Sequence, residues 1–331
     1  MPLPAPIGIG LIGLGRHGIR YARHLLHDIP DARLMAVSRR DPAQGIGLPT
    51  DADIPCYGEY RELIHDARVQ ALVVVTPPRF TRDICLAAAE AGKPMLIEKP
   101  LAPTGQAAHE MVEAAARAQV PLMTAHTLRF DPATIALKAQ LGSLGQKHYL
   151  TMTTHLEQQP HAPAFAGGGG DGNRGVLLEV GIHLLDMVRY LTDEDVVSVS
   201  ARMDRPDAAA PEIHATVQLW TTSGMPCLID VARVAYGRVS HAEWIAGGGQ
   251  LRVDWGRHTV SRITAAEGTS DTTVSSEPTI VSTLRAFLNA LRGGQAIPVT
   301  GRDGLKAVRI ADACYRSAEQ GGQIVDVTHD D

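Results

Sequence analysis

Over the first 125 residues, short apolar runs alternate with stretches of helical periodicity. The runs are 7–12 (IGIGLI), 33–38 (RLMAVS), 71–76 (ALVVVT), 94–98 (PMLIE) and 120–125 (VPLMTA), and between them lie IRYARHLLHD, RDICLAAAEAG and GQAAHEMVEAAARAQ. Runs that are apolar on both faces and alternate with helices predict a parallel sheet covered on both sides, an α/β arrangement. Past residue 130 the pattern changes. A helix is predicted near 132–141 and a strand near 147–156, then a glycine-rich loop and a very apolar helix at 176–191. Strand-like runs with hairpin signals fill 195–263, and helical stretches at 278–291 and 302–319 close the chain. This predicts a C-terminal α+β domain with a large, mostly antiparallel open sheet, and a division into 1–126 and 127–331. The segment 265–277 (AAEGTSDTTVSSE) reads as an exposed loop or an irregular edge.

Length and composition fit this division. A chain of 331 residues suits about two domains, and 44% hydrophobic with 20% charged residues is an ordinary globular balance. A formal charge of −5 without a long basic run argues against a nucleic-acid partner, and no apolar run is long enough to cross a membrane. The start MPLPAPIG lacks the features of a signal peptide, so a cytoplasmic location is expected. Cys56, Cys85, Cys227 and Cys314 are scattered without metal-ligand spacing and read as reduced, mostly buried thiols.

The stretch IGIGLIGLGRHG contains G-x-G-x-x-G twice, as Gly8/Gly10/Gly13 and as Gly13/Gly15/Gly18. The chemistry needs a strand before the glycines and a helix opening within them, so that helix N-terminal amides meet a pyrophosphate. Three prolines precede the first match and cannot supply a central strand. The second follows the run 7–12 and opens a helix with apolar Ile19, Ala22 and Leu26. Gly13, Gly15, Arg16, His17 and Gly18 are therefore the expected dinucleotide turn of a Rossmann domain, with Thr76 and Pro77 at the end of a neighbouring run. Where an acidic residue would hold a free ribose hydroxyl, the sequence has Ser38, Arg39 and Arg40. Two guanidiniums and a hydroxyl suit a 2′-phosphate, which favours NADP(H) over NAD(H).

In VLLEVGIHLLDMVRYL (176–191) the polar exceptions are Glu179, His183, Asp186, Arg189 and Tyr190. At about 100° per residue all but Arg189 fall on one narrow stripe. A burial-prone helix with one row of titratable groups reads either as a structural network or as the wall of an active site. No second His or Cys cluster completes a coordination sphere, so no metal is expected.

Lys99 follows the run 94–98 at the carboxyl end of a parallel strand, the edge where such sheets bind ligands, and Pro100 restricts its backbone. An ammonium there would stabilise an alkoxide and relay a proton, and Glu98 would pair with it or bind ribose or nicotinamide groups.

GIGLIGLGRHG, TPPRFTRDICLAAAEAGKPMLIEKP, LRFDPATIALKAQLGSLG, LLEVGIHLLDMVRYL and VTGRDGLKAVRIADACYRSAEQG together resemble the glucose–fructose oxidoreductase / inositol dehydrogenase / rhizopine catabolism (Gfo/Idh/MocA) family along nearly the whole chain. The resemblance implies NAD(P)-dependent oxidation of a hydroxyl, or reduction of a carbonyl, on a sugar, cyclitol or related small molecule. It makes Lys99 the lysine that orients substrate, His183 the general acid/base, Glu179 the stand-in for an assisting aspartate, and Asp186 the aspartate ending the GIHxxD motif. Arg129 matches the family arginine, facing either the substrate or a domain-bridging ion pair, and His126, just past the sixth run, is expected to point into the same cleft. Two departures are visible: Glu179 is one methylene longer than aspartate, and Pro78 and Thr81 replace the asparagine and histidine of many relatives. The family also includes a dinucleotide-binding regulator without turnover and enzymes that retain the cofactor during glycoside cleavage, so both remain alternatives. The loop 156–175 is expected to shape the pocket, and an exposed sheet face is expected to favour a homodimer or homotetramer.

Overall fold

The computed structural model describes residues 2–50, 53–157, 174–208 and 210–328. They fall into two compact units, Met1–Thr127 with Pro278–Leu305, and Leu128–Glu277 with Lys306–Asp331. No helix among the described residues is long and apolar enough to cross a membrane.

In the first unit, β1 (Ile7–Ile12), α1 (Arg16–His27), β2 (Ala32–Ser38), β3 (Cys56–Tyr57), α2 (Tyr60–His65), β4 (Ala71–Val74), α3 (Thr81–Glu90), β5 (Met95–Glu98), α4 (Gly105–Arg117) and β6 (Leu122–Ala125) follow in order. The strands form a six-stranded sheet in the order β3-β2-β1-β4-β5-β6, every pairing parallel. All residues of β1, β4, β5 and β6 are buried, which explains their unbroken apolar runs. The strand order reverses direction between β1 and β4, and ligands bind at such a switch point. β3 gave no sequence signal, since two half-buried residues carry no periodicity.

In the second unit, α5 (Pro132–Leu141) and β7 (Lys147–Glu157) precede a π-turn at Leu177–Gly181 that runs into α6 (Ile182–Thr192). Then come β8 (Val196–Asp204), β9 (His214–Thr221), β10 (Pro226–Ala235), β11 (Val239–Ala246), β12 (Gly249–Asp254), β13 (Thr259–Thr264) and β14 (Gly268–Thr273). After these come α7 (Thr279–Leu291), which belongs to the first unit, then α8 (Gly301–Glu319) and β15 (Val325–Asp326). The nine-stranded sheet runs β14-β13-β12-β11-β7-β10-β9-β8-β15, and of its pairings only β7 with β10 is parallel. Burial alternates along β9 and β12, so one face is core and the other is not. α5 packs on β12 and β13, and the π-turn packs on β10. The segment expected to be a loop or edge contains β14, an edge strand with every residue exposed. It pairs through backbone bonds to β13 and has no apolar face for a pattern to reveal.

A single cut near residue 126 would assign 278–305 to the second unit, whereas that stretch belongs to the first. Its ties there are long-range: Thr300 bridges Met123, Thr124 N donates to Val299 O (3.0 Å), and Leu3 N donates to Leu291 O (2.9 Å).

Candidate active site

Gly8 and Gly10 are residues of β1, whereas Gly13 and Gly15 form the turn after it and α1 opens at Arg16. Gly13 has φ +97°, and a Cβ there would lie 2.5 Å from Val75 O. A Cβ on Gly18 would lie 1.9 Å from Gly13 O, so the helix approaches the turn with no room for a side chain. Gly15, the N-cap of α1, has no side-chain cap, and a Cβ on it would meet nothing within 4 Å. The helix therefore starts without a side-chain cap and with open space beside Gly15, which suits a pyrophosphate. The buried face of α1 is Gly18, Tyr21, Ala22 and Leu25, while the expected Ile19 and Leu26 are only half-buried.

A cleft of 620 Å³ opens beside this turn, and Gly13, Gly15, Ser38, Arg39, Arg40, Thr76 and Pro77 contribute to its walls. Thr76 Oγ1 is buried without a hydrogen-bond partner. An orphaned hydroxyl, an open glycine and an uncapped helix start together fit a bound dinucleotide. Arg16, the first residue of α1, is exposed and does not line this cleft. At the far end Asp41 also lines the cleft, with Oδ1 accepting from Ala43 N (3.2 Å) and Oδ2 from Gln44 Nε2 (2.8 Å). Arg39 donates to Gln44 Oε1 and to Gly45 O, whereas Arg40 is exposed and has no ion-pair partner among the described residues.

Glu98 ends β5 buried. Its Oε1 accepts from Tyr21 OH (2.6 Å) and contacts His17 Nε2 (2.9 Å), and its Oε2 accepts from Lys99 N (3.0 Å). Burial pushes this carboxyl up, but His17, Lys99 and Tyr21 outweigh it and hold the pKa below the usual value. Glu98 thus ties α1 to β5 and stands beside Lys99, one of the two roles expected for it, and His17 belongs to this network. Lys99 is half-buried on the carboxyl edge of the sheet, one strand over from Thr76 and Pro77, and its peptide bond to Pro100 is cis. Thr81 Oγ1 is buried within reach of Leu101 O (2.7 Å) and Pro78 O (2.8 Å), so it holds the segment just after Lys99. His126 is 1% exposed, enclosed by protein where a cleft-lining side chain was expected.

In the second unit the polar row separates into pairs. The π-turn breaks the uniform helical angle on which the stripe was drawn. Glu179 accepts from Arg233 Nη2 on β10. Asp186, 1% exposed, accepts from Arg129 Nε (2.7 Å) and Nη2 (2.5 Å). With one bond to each oxygen, Asp186 anchors a buried ion pair. Arg129 and Asp186 lie in the same unit. The Arg129 guanidinium also sits 5.1 Å from the centre of the Tyr190 ring. His183, between these pairs in sequence, is half-buried. Lysines hold the far end of α6: Lys138 Nζ donates to Tyr190 O (2.7 Å) and Lys147 Nζ to Thr192 O (2.5 Å). Cations there complement the helix dipole. Among the described residues no group of His, Cys, Asp and Glu could hold a metal ion.

Residues 7–126 match the family described as "Oxidoreductase family, NAD-binding Rossmann fold". Residues 135–252 match its GFO/IDH/MocA C-terminal domain, and residues 248–327 the oxidoreductase-family C-terminal alpha/beta domain. An inositol 2-dehydrogenase of Acidothermus cellulolyticus is 30% identical over 268 residues, covering 79% of this chain and 76% of the relative. The chain belongs to the Gfo/Idh/MocA oxidoreductase family. Inositol 2-dehydrogenase 2 of Saccharopolyspora erythraea is 27% identical over 324 residues, covering 95% of this chain and 94% of the relative. A solved probable dehydrogenase from Thermotoga maritima has a TM-score of 0.80 at 28% identity, covering 97% of this chain and 99% of that one. This Gfo/Idh/MocA protein is thus an oxidoreductase with an NAD-binding Rossmann domain.

Sequence reasoning missed Tyr21, Arg233, Glu212 and the turn 41–45. Tyr21 had a signal, because it follows His17 by four residues and shares its helix face. Arg233 had none, since its partner is 54 positions away. Of the loop expected to shape the pocket, residues 158–173 lie outside the described residues.

Proposed function

We propose that this protein transfers hydride between a nicotinamide dinucleotide and a secondary hydroxyl, or the matching carbonyl, of a cyclitol or sugar. The observation that carries the reading is Lys99 at the carboxyl edge of the parallel sheet, next to the strand whose end lines the dinucleotide cleft. The names of the relatives, inositol 2-dehydrogenases, support a polyol ring as the substrate class.

The turn of Gly13, Gly15 and Gly18 would hold the pyrophosphate, with Thr76 and Pro77 along the wall. When bound, the nicotinamide ring accepts or returns the hydride. His183 takes the hydroxyl proton in oxidation and returns it in reduction, a task suited to imidazole because its ordinary pKa is about 6.5. The Lys99 ammonium stabilises the oxyanion that develops on the substrate. Glu179 and Asp186, each neutralised by an arginine, orient the helix segment that carries His183.

NADP(H) preference is part of this proposal. Its support is that Arg39 and Arg40 line the cleft beyond Ser38, while both oxygens of Asp41, which lines it too, accept bonds from its own turn.

A panel of inositol isomers, aldoses and their keto forms, followed by nicotinamide absorbance, tests the reading. Turnover of at least one polyol is expected, with Lys99→Ala and His183→Gln each lowering kcat by about 10²–10⁴-fold while the dinucleotide still binds. Wild-type kcat in both variants refutes it.

A further inference from the structure

We infer that Glu212 is a positioning residue for the proton transfer at His183, because it fixes the start of the segment that carries Glu179 and His183. The inference rests on the acid–base role of His183 stated above.

Glu212 lies just before β9 and is 2% exposed. Its backbone O accepts from Val176 N (3.0 Å), its Oε2 from Gly175 N (2.8 Å) and its Oε1 from Leu177 N (3.1 Å). Three consecutive amides at a helix start, donors with no partner inside the helix, are therefore satisfied by one residue. Tyr315 OH donates to the same Oε1 (2.7 Å), and an Arg205 guanidinium nitrogen stands 3.8 Å from Oε2. The two backbones touch so closely that a Cβ on Gly175 would lie 2.1 Å from Glu212 O.

Glu212 sets more than stability, because the amides it holds lead directly into the π-turn. That turn begins at Leu177, and Glu179 N donates back to Gly175 O (2.9 Å). Downstream of the turn, α6 is held by Arg129 on Asp186 and by two lysines at its end; upstream, Glu212 holds the three amides, and Arg174 before them donates to Asp312 Oδ1 (2.6 Å). The residue next to it, Ile213, accepts from Arg233 N (2.8 Å), and Arg233 is the partner of Glu179. One short segment thus places both members of the Glu179–Arg233 pair. Since a shift of ~1 Å at reacting groups can lower a rate by ~10²-fold, loosening this end displaces the chemistry before it unfolds the unit.

The test is Glu212→Gln in the full chain, which keeps the shape but turns an NH₂ toward one of the two amides. Hydrogen exchange at residues 175–179 is expected to rise by about tenfold or more, while amides in β9 and β10 keep their protection. With the panel polyol of highest kcat/KM, kcat is expected to fall about tenfold with the dinucleotide KM within about twofold of wild type. Tyr315→Phe, which leaves the amide bonds in place, is expected to give the same split with a smaller drop, and keeps the inference testable if Glu212→Gln folds poorly. A kcat that falls only with the folded fraction, in either variant, shows a merely structural role and overturns the inference. Wild-type kcat in Glu212→Gln beside an inactive His183→Gln overturns this inference alone. Wild-type kcat in His183→Gln removes the acid–base reading and this inference with it.

Discussion

Arg129→Met removes the guanidinium to which both oxygens of Asp186 are bonded, at a place where that carboxylate is 1% exposed. The two side chains are 10% and 1% exposed, so neither is screened by solvent as a surface pair would be. Leaving a buried charge without its partner costs roughly 3–5 kcal/mol, although the intact pair adds far less over apolar residues of the same size. The Tyr190 contact at 5.1 Å adds a fraction to the loss. For a unit of this size about 1 kcal/mol shifts Tm by about 2–4 °C, so Arg129→Met should lower it by roughly 6–20 °C. Replacing both partners, as Arg129→Met with Asp186→Leu, should recover at least about half of the loss, because no charge is then stranded. Differential scanning calorimetry on the four members of the cycle measures this. An exposed control is available in Arg117, whose pair with Glu113 is 4.0 Å long at 71% and 41% exposure. Its removal should move Tm by no more than about 1–2 °C. If Arg129→Met stays within about 2 °C of wild type, or if the double variant is no more stable than the single, the reasoning from burial is wrong.

Gly15→Ala should leave Tm nearly unchanged, because its Cβ would meet nothing within 4 Å, yet weaken dinucleotide binding by about tenfold or more in a titration of reduced-cofactor fluorescence. Equal binding in the variant would place the pyrophosphate elsewhere. Arg40→Ala should raise the Kd for NADPH about tenfold and leave that for NADH alone, since charge-assisted bonds to phosphate contribute about 1.5–3 kcal/mol. Equal wild-type affinity for the two cofactors would remove the argument for a 2′-phosphate site. The Glu98 carboxyl sits below its usual pKa, so it contributes stability that is complete above the unfolded value of about 4.3 and is lost as pH falls through the lower folded value. His17→Ala removes one of the contacts that lower it, and the acid loss of Tm should therefore begin at higher pH than in wild type. Superimposable Tm–pH curves would refute this.

What the sequence by itself determined was local. Runs apolar on both faces announced a parallel sheet, because central strands are buried on both sides whatever packs on them. The choice of Gly13/Gly15/Gly18 over Gly8/Gly10/Gly13 followed from the order strand, turn, helix, and the structure has Gly8 and Gly10 inside β1 with α1 opening at Arg16. Lys99 at a strand end and the polar residues of 176–191 were legible for the same reason, since position along one element fixes which edge or face a residue occupies. Only the tertiary structure decided what those residues touch. Asp186 meets Arg129 from 57 positions away, and Glu179 meets Arg233 from 54. The π-turn shifts Glu179 off the straight-helix angle, and a polar edge strand forms at 268–273 on backbone pairing alone. The return of 278–305 to the first unit rests on bonds such as Thr124 N to Val299 O. Periodicity records how a residue faces its own element, whereas charge pairing and unit membership depend on which distant segment the chain brings opposite it.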